Sequence, residues 1–227
     1  MIGEGDQQGE SPSGMMANMS ERPARFRRPA SLFDSTAEAI EGAPDPSTRT
    51  ELAHHSAAAL LDGALHTSDP DVVERVVTLV REEGLEDLAM LWSGSPAQTL
   101  PGALWRLYVL HTWVHAQGED VVHRYREGAA TVPGLRYLAG FAEPPDAHQV
   151  SQTLDEILRG AFTGDLALAL ARAGAVAVIC AHGTAHLADR AASASAQEEL
   201  TTQAGRLLTT GEDLAAAARL ADRGALE

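Results

Sequence analysis

The sequence predicts an all-α protein, a multi-helix bundle of about seven to nine helices that follows a disordered N-terminal tail. Three observations support this fold class. Apolar residues recur at helical spacing over most of the chain, and no long segment alternates apolar and polar residues as a strand would. Hydrophobic residues make up 44% of the chain but aromatic residues only 4%. Small apolar side chains of this kind allow helices to pack closely.

The chain is expected to consist of a tail and one folded domain. Residues 1–35 are rich in Gly, Ser, Pro, Glu and Arg and show no periodicity, which is typical of disordered segments. The remaining residues, 36–227, are enough for a single helical domain with a continuous core.

Three helices are expected before residue 93. The first begins at Ser47 or Thr48 and ends at Leu65, because leucine and alanine recur at helical spacing there. The second covers 69–84, with Pro70 at its first position, where proline is favoured. A short third helix covers 85–92.

The most apolar helix is expected at 101–118, opened by Pro101. Its leucine, tryptophan and valine residues fall on nearly every face of the helix. A helix that is apolar all round is buried on all sides, so we expect this one in the middle of the bundle.

Five helices are expected in the rest of the chain, at 119–127, 133–141, 146–160, 165–192 and 196–225. Asp146 is the expected N-cap of the third of these. Glycines at 174 and 183 are candidate bends in the fourth. The last helix places Leu200, Leu207 and Leu214 seven residues apart. This spacing is compatible with a coiled-coil seam and a homodimer, but an amphipathic helix folded back onto the domain is favoured.

The charge balance argues against nucleic acids and membranes as partners. The formal net charge is −15, and the chain has no lysine, so all 17 basic residues are arginine. An acidic body repels phosphate backbones and anionic lipid surfaces. The N-terminus lacks the features of a signal peptide, and the longest apolar run, 173–181, is about half a membrane span. A cytoplasmic location is therefore expected, and the single cysteine fits a reducing compartment.

Histidines give the clearest candidate for chemistry. Two pairs have i, i+4 spacing, His111 with His115 and His182 with His186, so each pair lies on one face of a predicted helix. If the two helices face each other, the four imidazoles could bind Zn²⁺ or another transition metal, or a haem. The alternative is that these histidines make hydrogen bonds in the core.

The sequence lacks the common catalytic motifs, and this favours a non-enzymatic role. There is no Gly-x-Ser-x-Gly, no His-Glu-x-x-His and no phosphate-binding Gly-x-x-x-x-Gly-Lys. Cys180 lies in an apolar stretch, where burial would raise its pKa and make it unreactive.

Four arginines lie near aromatic residues in the acidic body: Arg106, Arg124, Arg126 and Arg136. Guanidinium groups of this kind could line a pocket for an anionic ligand, as in a helical sensor. The alternative is that they pair with the surplus of aspartate and glutamate along helix faces.

The tail contains a compact basic and apolar cluster that would suit docking on a protein partner. It consists of Arg25, Phe26, Arg27, Arg28, Leu32 and Phe33. Together with the missing catalytic motifs, this cluster makes a non-enzymatic interaction or regulatory protein the favoured function. The alternatives are a metal- or haem-binding helical protein and a sensor with the arginine pocket.

Overall fold

A computed structural model describes residues 45–65, 86–141 and 145–227. These residues form eight helices and contain no strand, which confirms the all-α fold class. The helices are α1 Pro46–Leu65, α2 Glu86–Trp92, α3 Leu100–Ala116, α4 Gly118–Ala129, α5 Pro133–Ala139, α6 Ala147–Phe162, α7 Leu166–Asp189 and α8 Ala194–Asp222.

Every described residue belongs to one compact unit, Pro44–Glu227. The tail cluster at 25–33 and the helix expected at 69–84 lie outside the described residues. Both therefore stay predictions.

Side-chain caps define where four of the described helices begin. The Asp146 carboxylate accepts a hydrogen bond from the Gln149 amide, and the Gln149 side chain accepts one from the Asp146 amide. This reciprocal capping box confirms the expected cap of α6. Thr99, Asp165 and Ser193 cap α3, α7 and α8, each side chain accepting a single hydrogen bond from a first-turn amide. Capping side chains thus satisfy amide groups that the helix itself leaves without partners.

Two helices share the centre of the fold. The long helix α7 packs against α3, α4, α5, α6 and α8, most extensively against α8 and α4. Helix α3, the one expected in the middle, contributes to both hydrophobic clusters of the domain: Leu107 and Leu110 to the larger, Leu100 and Leu104 to the smaller. However, α3 leaves Val109 41% exposed, so it is not buried on all sides. Its apolar surface is shared between the core and the exterior.

Helix α7 crosses α4 at a pair of glycines. A Cβ atom at Gly183 would overlap the carbonyl oxygen of Arg124, and one at Gly128 would overlap the carbonyl oxygen of Ile179. The two backbones therefore touch, which only glycine permits. Helix α7 continues through Gly183 without interruption, from Leu166 to Asp189.

Helix α8 folds back along α7. Leu214 is fully buried, and Leu207 packs against the larger cluster from a half-buried position. Two of the three heptad-spaced leucines, Leu207 and Leu214, thus contribute to the domain's own core, as the favoured interpretation had it. A coiled-coil dimer through this helix stays a prediction.

Among the described helices, α7 alone is long and apolar enough to cross a membrane. In the fold, 61% of its most apolar stretch is buried against other helices. Core helices of water-soluble proteins have the same composition, so this property of α7 is weak evidence for a membrane span.

Candidate metal centre

His111 and His115 project from successive turns of α3 toward α6. Their ring centroids are 4.3 Å apart. Because residues four apart lie on one helix face, this half of the site follows directly from the sequence spacing. His111 is buried, at 1% exposure, whereas His115 is exposed.

Asp155 on α6 joins the two histidines. Its Oδ1 atom lies 2.8 Å from Nε2 of His111 and 2.9 Å from Nε2 of His115. An ionised carboxylate only accepts hydrogen bonds, so both imidazoles donate from Nε2. The carboxylate therefore connects α3 to α6 across about 40 residues of sequence.

The electrostatics of the group keep Asp155 ionised. Burial alone would raise the pKa of this carboxyl, but the hydrogen bonds from His111 and His115 and the charges of these rings lower it further than burial raises it. The pKa of Asp155 consequently lies below its ordinary value of 3.8. The group therefore consists of an ionised carboxylate beside two histidine rings.

The three side chains have the chemistry and the spacing of metal ligands. Their ligand atoms all lie within 4.8 Å of one another. Adjacent ligand atoms around an ion are about 3.0 Å apart in an octahedral site and about 3.4 Å apart in a tetrahedral one, given bonds of about 2.1 Å. The observed distances of 2.8 and 2.9 Å between the Asp155 Oδ1 atom and the two Nε2 atoms are close to the octahedral spacing.

His182 and His186 lie on α7 and are both half-buried. Neither belongs to the group formed by His111, His115 and Asp155. Among the described residues, this is the one cluster of three or more His, Cys, Asp or Glu side chains that could hold a metal ion. The structure thus brings together one predicted pair with a carboxylate that the sequence did not single out. A four-histidine site stays a prediction without geometric support.

The four arginines of the predicted anion pocket have separate surroundings. Arg106 donates to Asp213 at 2.8 Å and to the Gly102 carbonyl. Arg126 donates to the Pro145 carbonyl at 2.7 Å, and Arg136 lies over the Tyr137 ring.

Arg124 is 9% exposed and binds three helices together. It donates to Asp120 on its own helix at 2.6 Å, to Thr184 on α7 at 2.9 Å and to Gln203 on α8 at 3.1 Å. With its donors directed to these acceptors, this guanidinium stabilises the packing of α4, α7 and α8. A shared anion pocket of the four arginines stays a hypothesis.

Cys180 is fully buried in α7. Burial raises the pKa of its thiol to about 12, although Arg124 nearby acts in the opposite direction. The thiolate needed for nucleophilic chemistry is therefore not accessible at neutral pH, in agreement with the expected inertness of this residue.

Comparison of the chain with protein-family models, with curated proteins and with solved structures gave no match.

Proposed function

We propose that this protein binds a divalent transition metal ion through Nε2 of His111, Nε2 of His115 and the carboxylate of Asp155. The observation that supports this proposal is the convergence of these three ligand atoms within 4.8 Å. Imidazole and carboxylate together suit Zn²⁺, Fe²⁺ and neighbouring ions better than Mg²⁺ or Ca²⁺, which prefer oxygen ligands alone.

The scaffold around the three ligands favours a defined site. His111 and His115 are held by one helix and Asp155 by another, and His111 is almost completely buried. Ligands on packed helices keep their positions better than ligands on loops. To bind an ion, each imidazole would carry its proton on Nδ1 and direct the Nε2 lone pair at the metal.

The same geometry favours a single ion over a haem. Two axial histidines would have to approach a haem iron from opposite faces of the ring. Here both Nε2 atoms are directed at one carboxylate oxygen, at 2.8 and 2.9 Å. They would therefore occupy adjacent positions around a metal.

The test is calorimetric titration of the untagged, chelator-treated full chain with Zn²⁺. We expect one ion per chain, and a rise in melting temperature, because a ligand at 100 times its Kd stabilises the folded state by about 2.7 kcal/mol. His115→Ala and Asp155→Asn should abolish binding. His182→Ala and His186→Ala are matched controls from the other histidine pair and should bind as the wild type does.

Two results would contradict the proposal. One is the absence of saturable binding of Zn²⁺, Co²⁺ and Fe²⁺ by the folded wild-type chain. The His111, His115 and Asp155 group would then serve only to join α3 to α6. The other is loss of binding in His182→Ala, which would indicate the four-histidine site.

A second candidate function is the binding of a protein partner. Its support is an open apolar groove of about 540 Å³ between α5, α7 and α8, in which Leu138 is 37% and Leu168 46% exposed. Asp165, Glu212 and Asp222 on the rim outnumber Arg219. This surface would suit a partner helix that is apolar on one face and basic on its edges.

A designed Leu/Arg amphipathic peptide, labelled with a fluorophore, tests the second candidate. Anisotropy titrations should give saturable binding that weakens about tenfold or more in Leu168→Ser, since an exposed anchor is lost. A Leu/Glu peptide of the same length should not bind. If the Leu/Arg peptide bound the wild type and Leu168→Ser with equal affinity, the attraction would be a non-specific one to an acidic surface. That result would exclude the groove as the binding site.

A further inference from the structure

The three ligands of the candidate metal centre lie along a gradient from the core to the surface. The side chains of His111, Asp155 and His115 are 2%, 19% and 27% exposed, respectively. The group is therefore closed on the His111 side and reached by solvent on the side of His115 and Asp155. An ion bound there would have its remaining coordination positions directed outward.

The number of protein ligands also indicates incomplete coordination. Among residues 45–65, 86–141 and 145–227, no fourth His, Cys, Asp or Glu joins the group. Structural zinc sites are closed by four protein ligands, whereas sites with three protein ligands hold water or substrate in the open position.

The charge of the loaded site selects the kind of exogenous ligand. A divalent ion with two neutral imidazoles and one carboxylate carries a formal charge of about +1. Positive charge at an open position attracts an anion, and hard oxygen donors suit the same ions as imidazole and carboxylate. The acidic body, with a chain charge of −15, disfavours large polyanions such as nucleic acid.

We propose that the metal ion held by His111, His115 and Asp155 coordinates a small oxygen-donor anion, a carboxylate or a phosphate, at its solvent-facing positions. This inference rests on the proposed metal-binding function. It identifies the centre as a site of ligand exchange, in contrast to a closed structural site.

The experiment uses the full-length chain loaded with Co²⁺, whose visible absorption reports the number and type of its ligands. Acetate and inorganic phosphate are titrated separately at constant ionic strength, with perchlorate as a non-coordinating control. We expect the spectrum to change with saturation at one anion per cobalt for acetate or phosphate and to stay unchanged with perchlorate. The anion that saturates the spectral change at the lower concentration shows whether carboxylate or phosphate is the preferred class.

The failures of the two proposals are distinguishable. A cobalt spectrum that appears on loading but responds to neither anion overturns this inference and leaves metal binding intact. No cobalt spectrum at all, from a chain with native helical circular dichroism, overturns both. His182→Ala should reproduce the wild-type titration; loss of the anion response in this variant, with cobalt still bound, also overturns the inference.

Discussion

At the scale of single residues, the contact between Asp155 and two imidazoles is the feature with the clearest chemical consequence. A carboxylate at 19% side-chain exposure keeps its charge here because two N–H groups face one of its oxygens. Hydrogen bonds to a charged acceptor contribute more than neutral ones, about 1.5–3 kcal/mol each. The same contact that would hold an ion therefore also stabilises the metal-free protein.

Acid should remove this stabilisation. A carboxyl whose pKa is lowered on folding stabilises the native state above its unfolded pKa, and the effect is lost as pH falls through the folded pKa. For Asp155 the loss begins near the ordinary value of 3.8 and continues below it. We expect Asp155→Asn to lower the free energy of unfolding of the chelator-treated chain by about 1–3 kcal/mol at pH 5.

Urea unfolding of both proteins at a series of pH values measures this effect. The difference between wild type and variant should shrink as the pH is lowered from about 5 to about 3. A constant difference over this range would mean that the Asp155 charge makes no contribution.

Cys180 should be unreactive in the native protein. With no exposure and a pKa raised to about 12, its thiol forms almost no thiolate at neutral pH. We expect iodoacetamide to label the chain in denaturant but not in native buffer, as read by intact mass. Rapid native labelling would show that α7 opens locally far more often than its packing indicates.

At the scale of helices, the crossing of α4 and α7 depends on the absence of two side chains. Gly183→Ala would place a methyl group against the Arg124 carbonyl, and backbone cannot move aside as a flexible side chain can. We expect a loss of about 3 kcal/mol or more in the free energy of unfolding, measured with urea.

Gly205→Ala is the matched control for this substitution. Gly205 lies within α8, is exposed and has open space where its Cβ would stand. Alanine there should raise the free energy of unfolding by about 0.5–1 kcal/mol, since alanine is the better helix former. Destabilisation of similar size by both substitutions would contradict the proposed backbone contact.

Helices and the His111/His115 pair could be predicted from sequence because both depend on spacing along the chain. The pairing with Asp155 could not, because it depends on how α6 is rotated and placed against α3, and no local pattern encodes that. The glycine at 183 shows the same limit. From sequence it is a candidate bend, and its backbone contact with α4 could not be predicted from spacing along the chain.

At the scale of the whole domain, the two hydrophobic clusters are joined by shared residues. Five half-buried leucines pack against both: Leu60, Leu61, Leu88, Leu166 and Leu226. Clusters linked in this way unfold together, because disruption of one exposes the apolar surface of the other.

The protein should therefore unfold in one transition. Phe substitutions at Trp105 and Trp113 leave Trp92, buried in the smaller cluster at 1% exposure, as the only tryptophan. Its fluorescence should change with the same urea midpoint as helical circular dichroism, which reports mainly the larger cluster. A separate, earlier fluorescence transition would show that the smaller cluster is an independent unit.

Helix α7 follows α3 and α6 in the chain, and this order has a consequence during biosynthesis. Residues of α3 and α6, such as Leu107 and Leu154, bury their side chains in the same cluster as Leu170 and Val176 of α7. Until the ribosome has made α7, those earlier apolar faces lack the helix that covers them. The nascent chain therefore exposes the aggregation-prone apolar faces of α3 and α6 until α7 has been made, and this domain completes its folding only after that point.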